Sequence, residues 1–413
     1  MAFYLGIDFG TSGARGIVID EAGGIQAQVR YPGKMSTADQ WNSALWSLLA
    51  EIPEELRREI QAIAINGTSS TVLLCDAAGK PVDAPLFYND GRGSVVLEQL
   101  QTVAPPNHTV LSATSSLAKL LWMSQQPFFA EAKYFMHQAD WLAFLLHGKL
   151  GISDYHNALK LGYDVEELKY PKWLEKLQIS IHLPEILPPG TPVAEIRREV
   201  AEEFHFRRDC LICAGTTDSI AAFVASGAKL PGEAVTSLGS TLVLKLLSRQ
   251  RLEDARYGIY SHRLGDLWLT GGASNTGGAV LGKFFTDAEL ASLSSEIDAA
   301  KVSKLDYYPL LQAGDRFPIN DPHLAPRLEP RPDNPVEFLH GLLESIARIE
   351  AHGYELLQQM GADKLSFVYT AGGGAANDTW TAIRQRYLKI PVVSSVNTEA
   401  AYGTALLAMR GSK

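Results

Sequence analysis

The stretch Asp8-Phe9-Gly10-Thr11-Ser12-Gly13-Ala14-Arg15 holds the residue types with which a chain can grip a phosphate. It lies between two apolar runs, Met1 to Ile7 and Gly16 to Asp20, and reads as strand, tight turn, strand. Gly10 and Gly13 admit backbone conformations that a side chain forbids, and they let a ligand come close to the main chain. The N–H groups of such a turn form an anion-binding concavity, to which Thr11 and Ser12 add hydroxyl donors. Asp8 stands at the expected strand end. A carboxylate beside a phosphate cradle makes electrostatic sense only with a cation between them, which assigns Asp8 to Mg²⁺. The plain alternative is a hairpin with a polar turn.

Similar chemistry recurs along the chain. Ile60 to Ile65 reads as a strand leading into Asn66-Gly67-Thr68-Ser69-Ser70, with a second apolar run from Val72 to Cys75. Phe87-Tyr88-Asn89-Asp90-Gly91-Arg92 gathers an amide, a carboxylate and a guanidinium beside aromatic rings. That set can hydrogen-bond a polyhydroxylated ligand, or it can be a turn closed by an Asp–Arg pair. Asp218 follows a strand ending in Gly215-Thr216-Thr217 and opens a helix from Ile220. Ligands of α/β sheets bind at that end of a strand, although an aspartate there also caps a helix. Ala234 to Leu238, Gly239-Ser240-Thr241 and Leu242 to Leu247 repeat the opening pattern. Finally, Gly372-Gly373-Gly374 lies between a strand ending at Thr370 and a helix beginning at Trp380. Bare backbone there can receive a flat ring or a phosphate.

One match is rejected. Gly277 to Lys283 spells G-x-x-x-x-G-K, but Phe284 stands where a P-loop needs Ser or Thr, and Ala279-Val280-Leu281 reads as the start of a helix. Cys210 and Cys213 form a lone C-x-x-C in an apolar run and read as buried strand cysteines rather than a metal or redox site.

The elements that must position these residues follow from periodicity. Trp41 to Leu49 has helical spacing, Leu111 to Leu150 reads as mostly helical, and Phe338 to Met360 as a long helix. Pro391 to Val393 reads as a last strand and Glu399 to Met409 as a last helix. The return of the opening pattern at Ala234 suggests a duplication: two related α/β domains, 1–225 and 226–413, facing each other across a cleft, with the last helix (about 398–413) packing back on the first. Within its 413 residues, 46% hydrophobic and 20% charged residues fit a globular protein with a sizeable core. A net charge of −9 argues against a nucleic-acid or anionic-membrane partner. No apolar run is long enough for a membrane span, the first residues lack the features of a signal peptide, and three cysteines fit a reducing compartment, so a cytoplasmic location is expected. Oligomeric state is not readable.

Taken together, these motifs resemble the FGGY carbohydrate kinases of the actin/Hsp70/hexokinase-type superfamily, and the resemblance covers essentially the whole chain. Asp8 to Arg15 is similar to that family's first phosphate motif, D-x-G-T-x-x-x-R. Asn89-Asp90-Gly91-Arg92 is similar to its N-D-x-R element, Gly215 to Asp218 to its catalytic segment, and Gly239 to Thr241 to its second phosphate motif. Gly372 to Trp380 (GGGAANDTW) resembles its adenosine motif.

The chain is shorter than most members. It carries Asn-Gly-Thr-Ser-Ser after Ile65, where xylulose kinases have a Gln-Met-His type sequence and glycerol kinases an Arg-Glu pair. In both features it is most similar to the D-ribulose kinases of cyanobacteria and plants.

The resemblance implies two ribonuclease H-like domains, a duplicated actin-like ATPase fold around a central cleft. It also implies ATP-dependent phosphorylation of the primary hydroxyl of a ketopentose, D-ribulose at C5, with D-xylulose or another polyol as the alternative acceptor. In that scheme Asp218 takes the hydroxyl proton, and Asp8 and Asp218 attend the Mg²⁺. Ser69, Asn89, Asp90 and Arg92, with Asp8 and Asp218, meet the sugar. Thr11, Ser12, Gly13, Arg15, Gly239, Ser240, Thr241 and Gly277 surround the phosphates, while Gly373, Gly374, Asn377 and Trp380 hold adenosine. An actin-like or chaperone-like ATPase would share the phosphate turns but lack the Asn89 to Arg92 cluster.

Overall fold

The computed structural model describes residues 2–412; Met1, assigned above to the first apolar run, lies outside the described residues. The chain divides into two compact units, residues 1–225 with 399–413, and residues 226–398.

The first unit runs β1 (Phe3–Gly10), β2 (Gly13–Asp20), β3 (Ile25–Pro32), α1 (Ala38–Glu51), α2 (Glu54–Arg57), β4 (Ile60–Gly67), β5 (Val72–Cys75), α3 (Leu97–Gln101), α4 (Ser116–Met123), β6 (Tyr134–His137), α5 (Gln138–His147), β7 (Ile152–Asp154), α6 (Tyr155–Ala158), β8 (Glu185–Leu187), β9 (Pro192–Glu195), α7 (Arg198–Phe204), β10 (Leu211–Thr217) and α8 (Asp218–Ala225). The second runs β11 (Glu233–Leu238), β12 (Leu242–Ser248), β13 (His262–Leu264), β14 (Leu267–Ser274), α9 (Gly278–Phe284), α10 (Asp287–Glu296), α11 (Pro335–Gln359), β15 (Phe367–Ala371), α12 (Asp378–Leu388) and β16 (Val392–Ser394). The last helix, α13 (Ala400–Gly411), returns to the first unit.

Each unit is built on one mixed six-stranded sheet, ordered β3-β2-β1-β4-β10-β9 in the first and β13-β14-β12-β11-β15-β16 in the second. In both, an antiparallel hairpin lends its first strand to a parallel neighbour: β1–β2 beside β4, and β11–β12 beside β15. The duplicated α/β architecture expected from the repeated turn pattern is therefore present in the strand pairing. β1 and β4 are buried along nearly their whole length, as strands covered on both faces must be. One face packs on Trp41, Leu45 and Leu48 of α1, and the other on Ala401, Ala405 and Ala408 of α13. Gly6 lets α13 lie directly on the sheet, since a Cβ there would stand 2.1 Å from the Ala401 carbonyl oxygen. In the second unit the long amphipathic helix α11 buries Phe338, Leu342 and Ile346 in the core.

Three local expectations are corrected. Strand β1 does not stop at Ile7; it continues through Asp8 and Phe9 to Gly10, because pairing with β2 runs to Gly10↔Gly13 and leaves only Thr11 and Ser12 in the turn. The stretch from Leu111 to Leu150 is interrupted by strand β6, whose apolar residues pair with β5 rather than continuing a helix. Strand β4 extends to Gly67, so Asn66 belongs to the sheet and not to the turn. Segment 278–284, rejected above as a P-loop, is helix α9, and the three cysteines are buried free thiols. Among the described residues, no helix is long and apolar enough to cross a membrane.

Candidate active site

In the first unit the carboxyl ends of the parallel strands β1, β4 and β10 bring Asp8, Asn66 and Thr217 together, with Asp218 opening α8. Asp8 pairs with Asn66 on the parallel side and with Arg15 across the hairpin. Asn66 is fully buried and donates from Nδ2 to Thr404 Oγ1 of α13 at 2.7 Å. Asp8 Oδ1, Asn66 Oδ1 and Thr217 Oγ1 are all buried with no hydrogen-bond partner among the described residues. Buried polar atoms are almost always paired, so three orphans at adjacent strand ends mark a place built for something else.

Asp8 is the most perturbed of these groups. Burial in the first place, and the nearby Asp218 carboxylate in the second, push its pKa up to about 7, while Arg15 pulls it down. A divalent cation would relieve both stresses, so this pair fits Mg²⁺. Arg15 is anchored: its Nη1 lies 2.6 Å from Glu399 Oε2. Asp218 is the first residue of α8, and its Oδ1 accepts from the Ser219 N–H at 2.6 Å. The Thr11 and Ser12 hydroxyls lie in the exposed turn. Gly13 has φ +148°, and a Cβ there would stand 2.5 Å from the Tyr31 carbonyl oxygen.

Two further loops of this unit carry the residues assigned to a sugar. In 68–71, Thr68, Ser70 and Thr71 are buried and Ser69 alone is half-exposed, so Ser69 is the hydroxyl this loop presents. In 87–92, Asp90 accepts from Arg92 Nη2 at 2.7 Å and from the Arg92 N–H at 3.0 Å; the guanidinium holds the Asp90 carboxyl below the usual carboxylate range. The turn is thus closed by its own ion pair, with Asn89 exposed at its tip.

In the second unit a cavity of about 710 Å³ is lined by Gly239 and Ser240 of the β11–β12 turn, Gly373, Gly374 and Asn377 of the glycine run, and Trp380 of α12. Gly372, at φ +84°, lies against the second hairpin, where a Cβ would stand 2.7 Å from the Leu238 carbonyl oxygen. Asn377 caps α12 by accepting from the Trp380 N–H at 2.9 Å, and its Nδ2 donates to Ser294 Oγ at 2.8 Å. Trp380 edges the cavity while its indole N–H donates to the Leu343 carbonyl at 3.1 Å. Thr241 and Gly277 support the wall rather than line it: a Cβ at Gly277 would lie 2.8 Å from the Thr241 backbone.

Sequence reasoning missed several of these residues. The far wall of the cavity is α10, with Asp287, Leu290, Ala291 and Ser294. Its one sequence signal is the capping box from Thr286 to Glu289. Asn66 and Glu399 were missed because their partners lie hundreds of positions away along the chain.

Family models match both halves of the chain: residues 3–225 match the N-terminal domain of the FGGY family of carbohydrate kinases, and residues 234–412 match its C-terminal domain. A xylulose kinase of Staphylococcus epidermidis is 20% identical over 438 residues, covering 98% of this chain and 87% of its own. The crystal structure of a xylulose kinase from Rhodospirillum rubrum superposes with a TM-score of 0.84 at 21% identity, over 100% of this chain and 90% of that one. A Plasmodium falciparum glycerol kinase with ADP gives 0.84 at 17% identity, over 100% and 90%.

Proposed function

We propose, from the premise that this chain belongs to the FGGY family of carbohydrate kinases, that it transfers the γ-phosphoryl group of ATP to the primary hydroxyl of a ketopentose, D-ribulose at C5. The observation that carries the reading is the buried, unpartnered Asp8 Oδ1 beside Asp218. Phosphoryl transfer asks a protein for alignment and charge neutralisation rather than covalent chemistry. Asp218 accepts the proton of the sugar hydroxyl as its oxygen attacks the γ-phosphorus, and ADP departs. Asp8, with Asp218 nearby, would hold Mg²⁺, which offsets phosphate charge. The turn at Thr11 to Gly13 and the turn at Gly239 to Thr241 supply donors to phosphate oxygens. The 710 Å³ cavity receives adenosine against the bare backbone of Gly373.

The Asn-Gly-Thr-Ser-Ser segment after Ile65, similar to that of the D-ribulose kinases, supports D-ribulose. D-Xylulose is the second reading, favoured by the name of the Staphylococcus epidermidis relative. The deciding experiment measures ADP release from Mg-ATP with D-ribulose, D-xylulose, L-ribulose, glycerol and no sugar. Release that depends on D-ribulose is the expected result. Preference for D-xylulose would move the substrate and keep the chemistry, whereas equal release with and without sugar would make the protein an ATPase.

A further inference from the structure

One face of α4 serves both loops assigned to the sugar. Ser116, Lys119 and Trp122 are spaced three apart, so they form a single stripe along the helix. Ser116 Oγ donates to Ser70 Oγ at 3.2 Å. Lys119 Nζ donates to two carbonyl oxygens, Ser70 O at 2.8 Å and Phe87 O at 2.5 Å. Trp122 lies under the Arg92 guanidinium, 4.6 Å from its ring centroid.

Lys119 is fully buried, and among the described residues no carboxylate forms an ion pair with it. Burial holds its pKa down to about 8. A buried cation is costly, and a leucine or methionine would fill this helix position at no such cost. What an apolar side chain cannot do is join two backbone carbonyls from different loops. Ser70 itself sits in the left-handed region at φ 61°, a conformation that a non-glycine residue keeps only when its surroundings impose it. The loops touch each other elsewhere through the Val72–Leu86 bridge and the Tyr88 N–H, which donates to Thr71 Oγ1 at 3.0 Å.

We propose that Lys119, flanked by Ser116 and Trp122, is a positioning residue that fixes the spacing between the Ser69 loop and the Asn89–Arg92 turn, and so sets sugar affinity without touching the sugar. This rests on the reading of those two loops as sugar-contacting. The test is Lys119→Met, followed by ADP-release kinetics with D-ribulose and by hydrogen exchange. The expected result is a KM for D-ribulose raised about tenfold or more, a KM for ATP within about twofold of wild type, and faster exchange confined to 66–71 and 86–92. An unchanged sugar KM in a folded variant, or equal loss toward both substrates with exchange raised across the whole first unit, would overturn it. Should Lys119→Met fail to fold, Ser116→Ala carries the test, with the same direction and about a threefold rise expected. If wild-type protein releases no ADP in response to any sugar, the kinase reading falls by itself. The coupled exchange of the two loops still decides whether Lys119 locks them.

Discussion

Asp218 raises the pKa of Asp8, adding to a burial that already disfavours its charge, and Asp8 Oδ1 receives no hydrogen bond from the described residues. A charged carboxylate in that position is destabilising unless a cation offsets it. Asp8→Asn removes the charge that burial and Asp218 disfavour, and should therefore stabilise the metal-free protein above about pH 7, where Asp8 is ionised. The same variant should lose the rise in Tm that MgCl₂ gives wild type, and should lose activity by about a hundredfold or more. Thermal melts with and without MgCl₂ check the first two, and ADP release the third.

Ser69 is the one half-exposed residue of a loop whose other hydroxyls are buried. Ser69→Ala should raise the KM for D-ribulose about tenfold, a loss of about 1.4 kcal/mol, which is the scale of one hydrogen bond. Tm should stay within about 1 °C, since nothing packed is removed.

The last two glycines of the run Gly372 to Gly374 differ. A Cβ at Gly373 would meet nothing within 4 Å, whereas one at Gly374 would stand 2.7 Å from Leu238 Cβ and from the Trp380 ring. Gly374→Ala should cost about 1–3 kcal/mol by overpacking, and Gly373→Ala should leave stability unchanged. Urea denaturation of the two variants side by side separates them.

How far such residues could be read from the sequence depended on the range of the interactions that place them. The hairpin turns at Thr11–Ser12 and Gly239–Thr241 were legible because glycine and hydroxyl residues between apolar runs act locally. The helices at Trp41 and Phe338 were legible from their spacing. Strand β6 was not: its three apolar residues, Tyr134 to Met136, stand almost directly before the apolar α5 and give no change of period, and only pairing with β5 makes them a strand. Asp8 reads as a strand end because the apolar run stops at Ile7, whereas the Asp8↔Arg15 pair keeps it inside the ladder. Along the sequence Lys119 is one charged residue between Leu117 and Leu121, and its two carbonyl partners lie 49 and 32 positions away.

Lys119 also predicts a pH dependence. Its pKa in the folded protein is about 8, against 10.5 when exposed, so between those values the unfolded chain binds more protons than the folded one. Stability then rises with pH across that window, and below pH 8 the full penalty is present. Lys119→Met should flatten this part of the stability–pH curve, measured by urea denaturation from pH 7.5 to 10. A variant with the wild-type slope would assign that slope to another group.

The central claim is that Asp218 takes the proton of a sugar hydroxyl during phosphoryl transfer, and steady-state kinetics of Asp218→Asn with D-ribulose and Mg-ATP test it most directly. The account predicts a kcat lowered about a hundredfold or more, with the KM for ATP nearly unchanged, the scale of a lost general base. Turnover at the wild-type rate would contradict it and remove Asp218 from the chemistry.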